Sequence, residues 1–481
     1  MKQLVAVLDK KDNNAAETAA AMLATMTETA TATCTIATPT AMLTGSSLKT
    51  LHKPKSPTAI LYASTTAHPH EEPPIVAKAD DIALVIVGTT YSVSSEAASD
   101  SLLHNVEDTA DDFIKTHEGC FIIAAAEKER LLAGRDALGA HPLYYGENQC
   151  YAVLATERRL LWEIGVEDAK SFPPGHSATA TASGFKFKPA KTLTYSKPKQ
   201  TTMLSARQKT QTLLEQAVTR RVAEAKDVAV AFSGGLDSTT IAFLARKAGS
   251  NVQLVHVSMK NRQETDHACK VADELGLPIH SYVYGENDVH EALPTVLRLI
   301  EKPDPVKAAI GIPIYWAAAR TAELKLNVML AGQGADELFA GYKRYVDIYL
   351  DQGEGEAYKA VFDDIRSLHE DNLEGDFKIC NFHDVELRLP FADYDLARFA
   401  ATLPVKLKME PAKDTLRKVV LRTAAGNLGV PESATENPKK AVQYATGVSN
   451  ALARIAKQHG LTTAAYVCKV FRATMKKGDC K

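Results

Sequence analysis

Residues 228–240 read VAVAFSGGLDSTT, which predicts a buried strand, a tight glycine turn and the start of a helix. The two adjacent glycines allow backbone N–H groups to converge on one point, and the helix N-terminus adds partial positive charge. Ser233 and Ser238 can donate further hydrogen bonds to an anion bound there. The turn therefore suits a phosphate or a pyrophosphate group. Since Asp237 would repel such a group on its own, its presence implies a bridging divalent cation.

Short apolar strands and helical patterns alternate on both sides of this turn. Such alternation predicts parallel strands joined by crossover helices, which form a doubly wound α/β sheet. In these sheets ligands bind at the carboxyl ends of the strands, and the glycine turn lies at one of these ends. The predicted strands are 228–232, 252–257, 279–283 and 327–330, and the predicted helices are 206–226, 237–248, 264–275, 288–301 and 313–324.

A second glycine turn with acidic residues follows the strand at 327–330. Residues 330–342 read LAGQGADELFAGY, so Asp336 lies beyond the carboxyl end of one strand as Asp237 lies beyond another. Two such carboxylates could jointly hold Mg²⁺ against phosphate oxygens, because hard cations select oxygen ligands. Asp336 alone could also be a helix N-cap, but the pair together favours the magnesium interpretation.

The chain up to about residue 190 is rich in predicted strands and poor in long helices. A linker at 198–205 joins this region to the second half. His68, His70, Glu71 and Glu72 invite a metal-site interpretation, but the intervening prolines and the isolated position favour a solvated loop. The strands are predicted at 4–8, 83–88, 120–125, 131–135, 151–155 and 178–182, with a helix at 15–26.

Composition limits the classes of protein to consider. The chain has 481 residues, enough for two or three domains. Its formal net charge of −2 predicts no general attraction to nucleic acid or to anionic membranes. Seven cysteines without a CxxC pair favour reduced thiols, and the sequence contains neither a signal-peptide pattern nor an apolar stretch of transmembrane length. We therefore expect a cytoplasmic protein that binds neither nucleic acid nor membrane.

The two glycine turns resemble the signatures of one family. SGGLDS at 233–238 resembles the PP-loop of the ATP pyrophosphatases, which split ATP between its α and β phosphates. GQGADELFAGY at 332–342 resembles the GxGxDExFGGY signature of asparagine synthetase, and later segments at 383–393, 418–422 and 437–444 match in order. Residues 206–481 are thus identified as an asparagine-synthetase-like ATP pyrophosphatase domain, with a doubly wound parallel sheet.

A second resemblance covers the first half of the chain in degraded form. GRDALGAHPLYYG at 134–146 looks like a strand and turn of class II glutamine amidotransferase domains, which precede the synthetase domain in asparagine synthetases. It implies an α+β fold of the N-terminal nucleophile hydrolase type for residues 1–195. In that family residue 2 is the cysteine nucleophile, whereas here it is Lys2, whose amine cannot replace a thiolate. We therefore expect a glutaminase-like fold without glutaminase activity.

The resemblance implies a site for ATP and Mg²⁺, with Asp237 and Asp336 as metal ligands. Lys439, or its neighbour Lys440, would stabilise the charge that accumulates during attack on the α-phosphorus. Gln333 stands where family members have an acid or a tyrosine, and an amide accepts no proton at neutral pH. Either the amine arrives neutral, as ammonia can, or another group deprotonates it; Gln333 could also orient the adenylate carbonyl. The residues implied in ATP binding are Ala231, Ser233, Gly234, Gly235, Leu236, Asp237, Ser238, Val257, Ala331 and Gly332.

The implied reaction is adenylation of a small carboxylate, aspartate among the candidates, followed by transfer to free ammonia independently of glutamine. A lactam-forming or other amine-accepting synthetase is the alternative within the family, and the missing tyrosine counts against its lactam branch. A catalytically decayed nucleotide-binding scaffold is the alternative outside it, but the intact Asp336 and Lys439 argue against decay. A homodimer is usual in the resembled family and is a possible assembly here.

Overall fold

A computed structural model divides the chain into two compact units, Met1–Thr192 and Leu193–Met475. The structure describes residues 2–27, 33–65, 74–91, 106–260, 262–410, 416–437 and 446–476. The predicted loop at 68–72 and the two late lysines, Lys439 and Lys440, lie outside these residues. Among the helices described, none combines the length and apolar character that crossing a membrane requires.

The first unit contains two antiparallel sheets. Its strands are β1 (Lys2–Asp9), β2 (Thr33–Ala37), β3 (Met42–Gly45), β4 (Thr58–Ser64), β5 (Ile75–Ala79), β6 (Ile82–Thr90), β7 (Gly119–Ala126), β8 (Leu131–Arg135), β9 (Tyr144–Glu147), β10 (Tyr151–Ala155), β11 (Lys170–Ser171), β12 (His176–Thr181) and β13 (Gly184–Pro189). One sheet has seven strands in the order β11-β9-β10-β1-β4-β2-β3, and the other has six in the order β13-β12-β8-β7-β6-β5.

Three apolar cores hold these sheets and three helices in four layers. Helices α1 (Ala15–Thr27) and α3 (Arg158–Glu163) pack on the seven-stranded sheet, and α2 (Val106–Thr116) packs on the six-stranded sheet. Strand β1 shows how the sequence encodes this arrangement, because successive side chains alternate between the faces of a strand. Val5 and Val7 pack in the core with α1, whereas Leu4 and Leu8 pack in the core between the sheets. The helix–sheet–sheet–helix order confirms the α+β fold that the resemblance implies.

The second unit is built on a five-stranded sheet in which every pairing is parallel. Its order is β16-β15-β14-β17-β18, so the chain adds strands on one side of β14 and then on the other. The place where the order reverses is the ligand-binding edge of doubly wound sheets, and the predicted fold class is confirmed. The strands are β14 (Asp227–Ala231), β15 (Asn251–Met259), β16 (Ile279–Tyr284), β17 (Val328–Leu330) and β18 (Glu386–Arg388).

Helices and short connecting turns complete the second unit. They are α4 (Met203–Val222), α5 (Leu236–Lys247), α6 (Arg262–Leu275), α7 (Glu286–Ile300), α8 (Pro305–Glu323), α9 (Ala335–Leu338), α10 (Lys343–Gln352), α11 (Glu354–Leu368), α12 (Glu374–Phe382), α13 (Tyr394–Thr402), α14 (Val405–Lys408), α15 (Val419–Leu428), α16 (Glu432–Thr435), α17 (Val448–Gln458) and α18 (Thr463–Lys476). A π-helix (His369–Leu373) separates α11 from α12, and a 3₁₀ turn (Pro390–Ala392) follows β18.

The predicted start of α8 at residue 313 is wrong. The helix begins at Pro305, because the Asp304 side chain accepts hydrogen bonds from the backbone N–H groups of Val306 and Lys307. An aspartate N-cap followed by proline at the first helical position is a strong start signal. Pro313 lies inside the helix. The sequence pattern also gave no strand at β18, which has only three residues.

Candidate active site

The first glycine turn joins the central strand β14 to helix α5 and is held by its own serines. The backbone N–H of Ser233 donates to Oγ of Ser238 over 3.2 Å, and the two hydroxyl oxygens are also 3.2 Å apart. Gly234 adopts a left-handed φ of +70°, and a Cβ there would lie 2.9 Å from Cα of Ala268. Only glycine fits this position. The result is a compact turn at a strand end, with the N-terminus of α5 directly after it.

The second glycine turn follows β17, the parallel neighbour of β14. Gly334 has a φ of +94° and precedes the short helix α9, whose first turn contains Asp336. The two turns touch, since a Cβ on Gly332 would lie 2.9 Å from Cβ of Asp237. Both acidic side chains therefore reach the same place at the carboxyl edge of the sheet.

The side chain of Lys418 joins these two acids. Its Nζ lies 2.8 Å and 2.7 Å from the two carboxylate oxygens of Asp237 and 2.8 Å from Oδ1 of Asp336. The lysine side chain is only 1% exposed. Gly341 makes room for the contact, because a Cβ there would lie 1.9 Å from Oδ1 of Asp336 and 2.4 Å from Cε of Lys418. A buried ammonium group thus lies between two carboxylates that face it.

Glu337 continues the acidic turn into the interior. Its Oε1 accepts hydrogen bonds from the hydroxyl of Tyr342 over 2.6 Å and from the amide of Asn372 over 2.7 Å. Burial, reinforced by the like charge of Asp336, raises the pKa of the Glu337 carboxyl to about 7. These bonds fix the base of the second turn and join it to the π-helix.

Behind the second turn lies a buried carboxyl group, that of Asp376 in α12. Burial raises the pKa of this carboxyl to about 7, and the side chain of Gln333, between the two glycines of the turn, counteracts part of that rise. Asp376 is 3% exposed. Asn372 and Asp376 lie in the π-helix and just after it, and such irregular turns are frequent at functional sites.

Comparison with known proteins identifies this architecture. The Asparagine synthase family model matches residues 209–360 and 348–467, and a Glutamine amidotransferase domain model matches residues 75–163. The chain belongs to the asparagine synthase family. A Methanocaldococcus jannaschii protein named "Putative asparagine synthetase (glutamine-hydrolyzing) 1" is 30% identical over an alignment of 387 residues, which covers 71% of this chain and 71% of its own.

Two plant relatives also match this chain, but over a smaller share of their own length. The glutamine-hydrolyzing asparagine synthetase of Triphysaria versicolor is 24% identical over 68% of this chain and 57% of its own. Asparagine synthetase 2 of Arabidopsis thaliana is 25% identical over 67% and 57%, respectively. A solved Bacillus subtilis glutamine phosphoribosylpyrophosphate amidotransferase gives a TM-score of only 0.32 at 12% identity, over 58% of this chain and 65% of its own, too slight a likeness to support an argument.

Membership of the asparagine synthase family makes the chain an ATP-dependent carbon–nitrogen ligase that forms AMP and pyrophosphate. The residues expected to bind ATP lie at the carboxyl ends of three adjacent strands. Ala231 ends β14, Ala331 and Gly332 follow β17, and Val257 lies in β15. The expectation that Val257 ends its strand is wrong, because β15 continues to Met259. The N–H of Met259, the last residue of this strand, donates a hydrogen bond to the carbonyl of Thr446.

The late lysines of the asparagine synthase motif, Lys439 and Lys440, lie outside the described residues, but the residues on either side contact the site. Asn437 lies 2.8 Å from Nε2 of His267, and that nitrogen lies 3.1 Å from the carbonyl oxygen of Gly234 in the first turn. On the other side, Thr446 accepts the hydrogen bond from β15. The described residues that flank 438–445 thus contact His267, beside the first turn, and the end of β15.

Sequence reasoning gave two residues of this site no role. Lys418 belongs to a matching segment, but nothing in its local pattern shows that it lies between two distant carboxylates. Asp376 lies in an ordinary helical stretch, and only the fold shows that its carboxyl group is buried. The only signal for either would be the burial of a charged side chain, just before α15 for Lys418 and within α12 for Asp376, and burial cannot be read from a single residue.

Among the described residues of the glutaminase-like unit, no cysteine lies at the start of β1. Lys2 begins that strand and pairs with Ser64 of β4. Next to it, the Gln3 amide donates to Glu157 over 2.7 Å. Among the described cysteines of this unit, Cys34 is buried in β2, and burial raises the pKa of its thiol, which disfavours the nucleophilic thiolate.

Proposed function

We propose that this protein adenylates a small carboxylate with ATP, releases pyrophosphate, and transfers the acyl group to free ammonia without using glutamine. Aspartate is the first carboxylate to test. The observation that carries the proposal is the meeting of Asp237 and Asp336 on Lys418, at the carboxyl ends of two adjacent parallel strands. Cleavage between the α and β phosphates builds up negative charge, and charged groups fixed beside a glycine turn can stabilise that charge.

The triphosphate would lie on the first turn, from Ser233 to Ser238, at the N-terminus of α5. Backbone N–H groups and the helix dipole favour negative charge there. The adenine would lie against β15. In that strand the carbonyl of Val255 accepts from the N–H of Phe232 on the β14 side. Because backbone groups alternate sides every residue, those of Val257 face the same side, beyond the last paired residue of β14. They are placed to contact the adenine edge.

The site fits a magnesium ion. Asp237 and Asp336 offer carboxylate oxygens, the ligands that Mg²⁺ prefers, and both converge on one cationic group already. Their side chains are 14% and 16% exposed, so they remain open to solvent and to a bound nucleotide. When bound, Mg²⁺ would supply neutralisation of charge on the phosphate oxygens.

Lys418 would act with the late lysines on the leaving pyrophosphate. Its ammonium group contacts both oxygens of Asp237 and Oδ1 of Asp336 and is 1% exposed, so it would act on the pyrophosphate through its charge and through the two carboxylates that it positions. Lys439 or Lys440 would add a further positive charge as the bond to the α-phosphorus breaks. The contact of Asn437 with Nε2 of His267, which lies 3.1 Å from the carbonyl oxygen of Gly234, supports a role at this site for the lysines that follow Asn437 in the chain.

The proposal that the enzyme does not use glutamine is based on the residue at the start of the first unit. The relatives in the comparison are named as glutamine-hydrolyzing, whereas Lys2 heads the strand where the resembled domain has its cysteine nucleophile. An amine that is protonated near neutral pH cannot open the carboxamide of glutamine as a thiolate does. Ammonia would then enter from solution. The fold of this unit remains intact around the altered position, which is consistent with a supporting role.

Pyrophosphate release from ATP and Mg²⁺ tests the proposal. Purified protein is incubated with a panel of small carboxylates, each with ammonium, with glutamine or with neither. Release that requires aspartate and is raised by ammonium but not by glutamine supports the proposal. Equal stimulation by glutamine would overturn glutamine independence. Release that requires a substrate carrying its own amine would favour a cyclising synthetase, and no release with any carboxylate would favour a nucleotide-binding scaffold. The expected homodimer and cytoplasmic location stay predictions.

A further inference from the structure

Two carbonyl groups of the first glycine turn lie against histidine nitrogens. Nδ1 of His256, in β15, is 2.9 Å from the carbonyl oxygen of Phe232, and Nε2 of His267, in α6, is 3.1 Å from that of Gly234. A carbonyl oxygen only accepts hydrogen bonds, so each of these nitrogens carries a proton and donates it. Side chains from two different elements thus hold alternate peptide groups of one turn.

The direction of each carbonyl fixes the direction of the N–H on the same peptide, because the two groups of a trans peptide point opposite ways. The N–H that shares a peptide with the Phe232 carbonyl is that of Ser233, and it donates to Oγ of Ser238 over 3.2 Å. The N–H of Gly235 shares the next held peptide and donates to Oγ of Ser233 over 3.3 Å. Both carbonyls therefore face the histidines, and both N–H groups face the serine hydroxyls.

These two N–H groups are available to a bound anion. Their bonds to the hydroxyls are longer than the usual N–H···O distance of about 2.9–3.0 Å, and a charged oxygen is a stronger acceptor than a hydroxyl. Ser233 is exposed and Gly235 is half-buried. A phosphate oxygen can therefore take over both donors, whereas a peptide turned the other way would present a carbonyl oxygen that repels it.

The peptide between Gly234 and Gly235 depends most on its histidine. Neither flanking residue has a Cβ, so side-chain sterics do little to oppose rotation of this peptide. The ring of His267 packs against it, since a Cβ on Gly234 would lie 3.1 Å from Cδ2 of that ring. The hydrogen bond to Nε2 thus opposes rotation where the backbone itself does not.

Both histidine rings have a second polar neighbour that orients them. Nδ2 of Asn437 lies 2.8 Å from Nε2 of His267. A half-turn of that amide exchanges its oxygen and nitrogen, and the oxygen can then share the proton that Nε2 donates to Gly234. Oγ1 of Thr265 lies 3.4 Å from Nε2 of His256. Burial lowers the pKa of the His256 ring, so the ring is neutral and can accept from this hydroxyl.

We infer that His267 is a positioning residue of the pyrophosphate subsite, which holds the Gly234–Gly235 peptide with its N–H toward the phosphates. His256 holds the peptide between Phe232 and Ser233 in the same way. This inference rests on the proposed binding of the triphosphate at the first turn. Both histidines act through the backbone, so they affect binding of the β and γ phosphates rather than of the adenosine or the carboxylate.

Equilibrium binding of inorganic pyrophosphate and of AMP, each with Mg²⁺, tests the inference by titration calorimetry. His267→Leu removes the donor, whereas His267→Gln keeps an N–H donor at a similar distance from the backbone. We expect His267→Leu to bind pyrophosphate about tenfold more weakly, the worth of one oriented hydrogen bond. Its affinity for AMP should be unchanged, and His267→Gln should restore most of the affinity for pyrophosphate.

A second variant and a matched control make the result decisive. His267→Asn, whose shorter amide stops short of the Gly234 carbonyl, should behave as His267→Leu does, whether or not the leucine variant folds. His280→Leu is the control, because His280 is also half-buried and hydrogen-bonded, with Nε2 2.9 Å from Oε1 of Gln253 in the sheet. It should leave both affinities unchanged.

The outcomes separate this inference from the proposed function. No loss of pyrophosphate affinity in the leucine and asparagine variants, an equal loss for AMP, or no recovery with glutamine would overturn the inference. Binding of these two ligands requires neither ammonia nor a carboxylate. A wild-type protein that shows the expected selectivity but does not use ammonia would therefore overturn the proposed function alone. A wild-type protein that binds no pyrophosphate would overturn the placement of the triphosphate and this inference with it.

Discussion

Asp237 and Asp336 both bind the Nζ of Lys418, at 2.7 Å and 2.8 Å, although they belong to different glycine turns. The ammonium group screens two carboxylates that would otherwise repel each other at the edge of the sheet. Because it contacts both side chains, it also fixes them at the carboxyl ends of β14 and β17, where the proposed reaction would take place. The geometry of the site thus depends on one buried lysine.

Replacing Lys418 with Met should lower the rate of pyrophosphate release by about 100-fold, the usual effect of removing one oriented charge from a transition state. The free energy of unfolding should fall as well, because the two carboxylates lose their shared partner. Added Mg²⁺ should raise the melting temperature of the variant more than that of the wild type. A variant with an unchanged rate would show that the lysine has only a structural role.

Gly341→Ala tests whether the contact between Lys418 and Asp336 needs the space that a glycine leaves at position 341. The new methyl group would lie 1.9 Å from Oδ1 of Asp336, so either the acid or the lysine must move. We expect loss of at least about 10-fold in pyrophosphate release. Gly355→Ala in α11 is the matched control, since no atom lies within 4 Å of its added Cβ. Equal activity of the two variants would argue against the close approach.

Asp376 should destabilise the folded protein above neutral pH. Its pKa is raised from 3.8 to about 7 on folding, so the unfolded carboxyl ionises first and stability is lost as pH rises from about 4 to 7. Asp376→Asn should therefore raise the melting temperature at pH 8 but have a much smaller effect at pH 4.5. At pH 8 the gain is about 4 kcal/mol at most. An equal change at both pH values would rule out a shifted carboxyl.

The Glu301–Lys378 ion pair should contribute to stability rather than to catalysis. Its atoms are 2.6 Å apart, and the side chains are 0% and 4% exposed. Lys378→Met removes the ammonium group beside a buried carboxylate, at an expected cost of about 3–5 kcal/mol in urea unfolding. Arg398→Met breaks the exposed pair with Asp395 and should cost about 0.5 kcal/mol or less. Similar costs for the two variants would contradict this difference in environment.

The sequence was sufficient for the parts of the fold whose signals are local. The apolar run of β14 and its glycine turn mark a strand end, and the alternation that follows requires a parallel sheet. The start of α8 was missed because Pro313 resembles a helix start, whereas the true signal is Asp304 followed by Pro305. Strand β18 has only three residues, and no periodicity can be read from so few.

The site was predictable only where its residues follow a strand end. Asp237 and Asp336 could be paired from topology, since neighbouring parallel strands present their carboxyl ends together. Lys418 lies far along the chain, and its contact with them depends on the packing of α15. Asp376 is buried in α12, and its helical stretch gives no local sign of that burial. Tertiary packing, not local pattern, decides both.

The most direct test of the central claim is pyrophosphate release by Asp237→Asn, measured with ATP, Mg²⁺, ammonium and the carboxylate that supports the wild-type reaction. Asparagine keeps the size of the side chain but removes the charge that Lys418 and the metal would bind. We predict a loss of about 100-fold or more, with an unchanged circular dichroism spectrum. A folded variant that releases pyrophosphate at the wild-type rate would contradict the account.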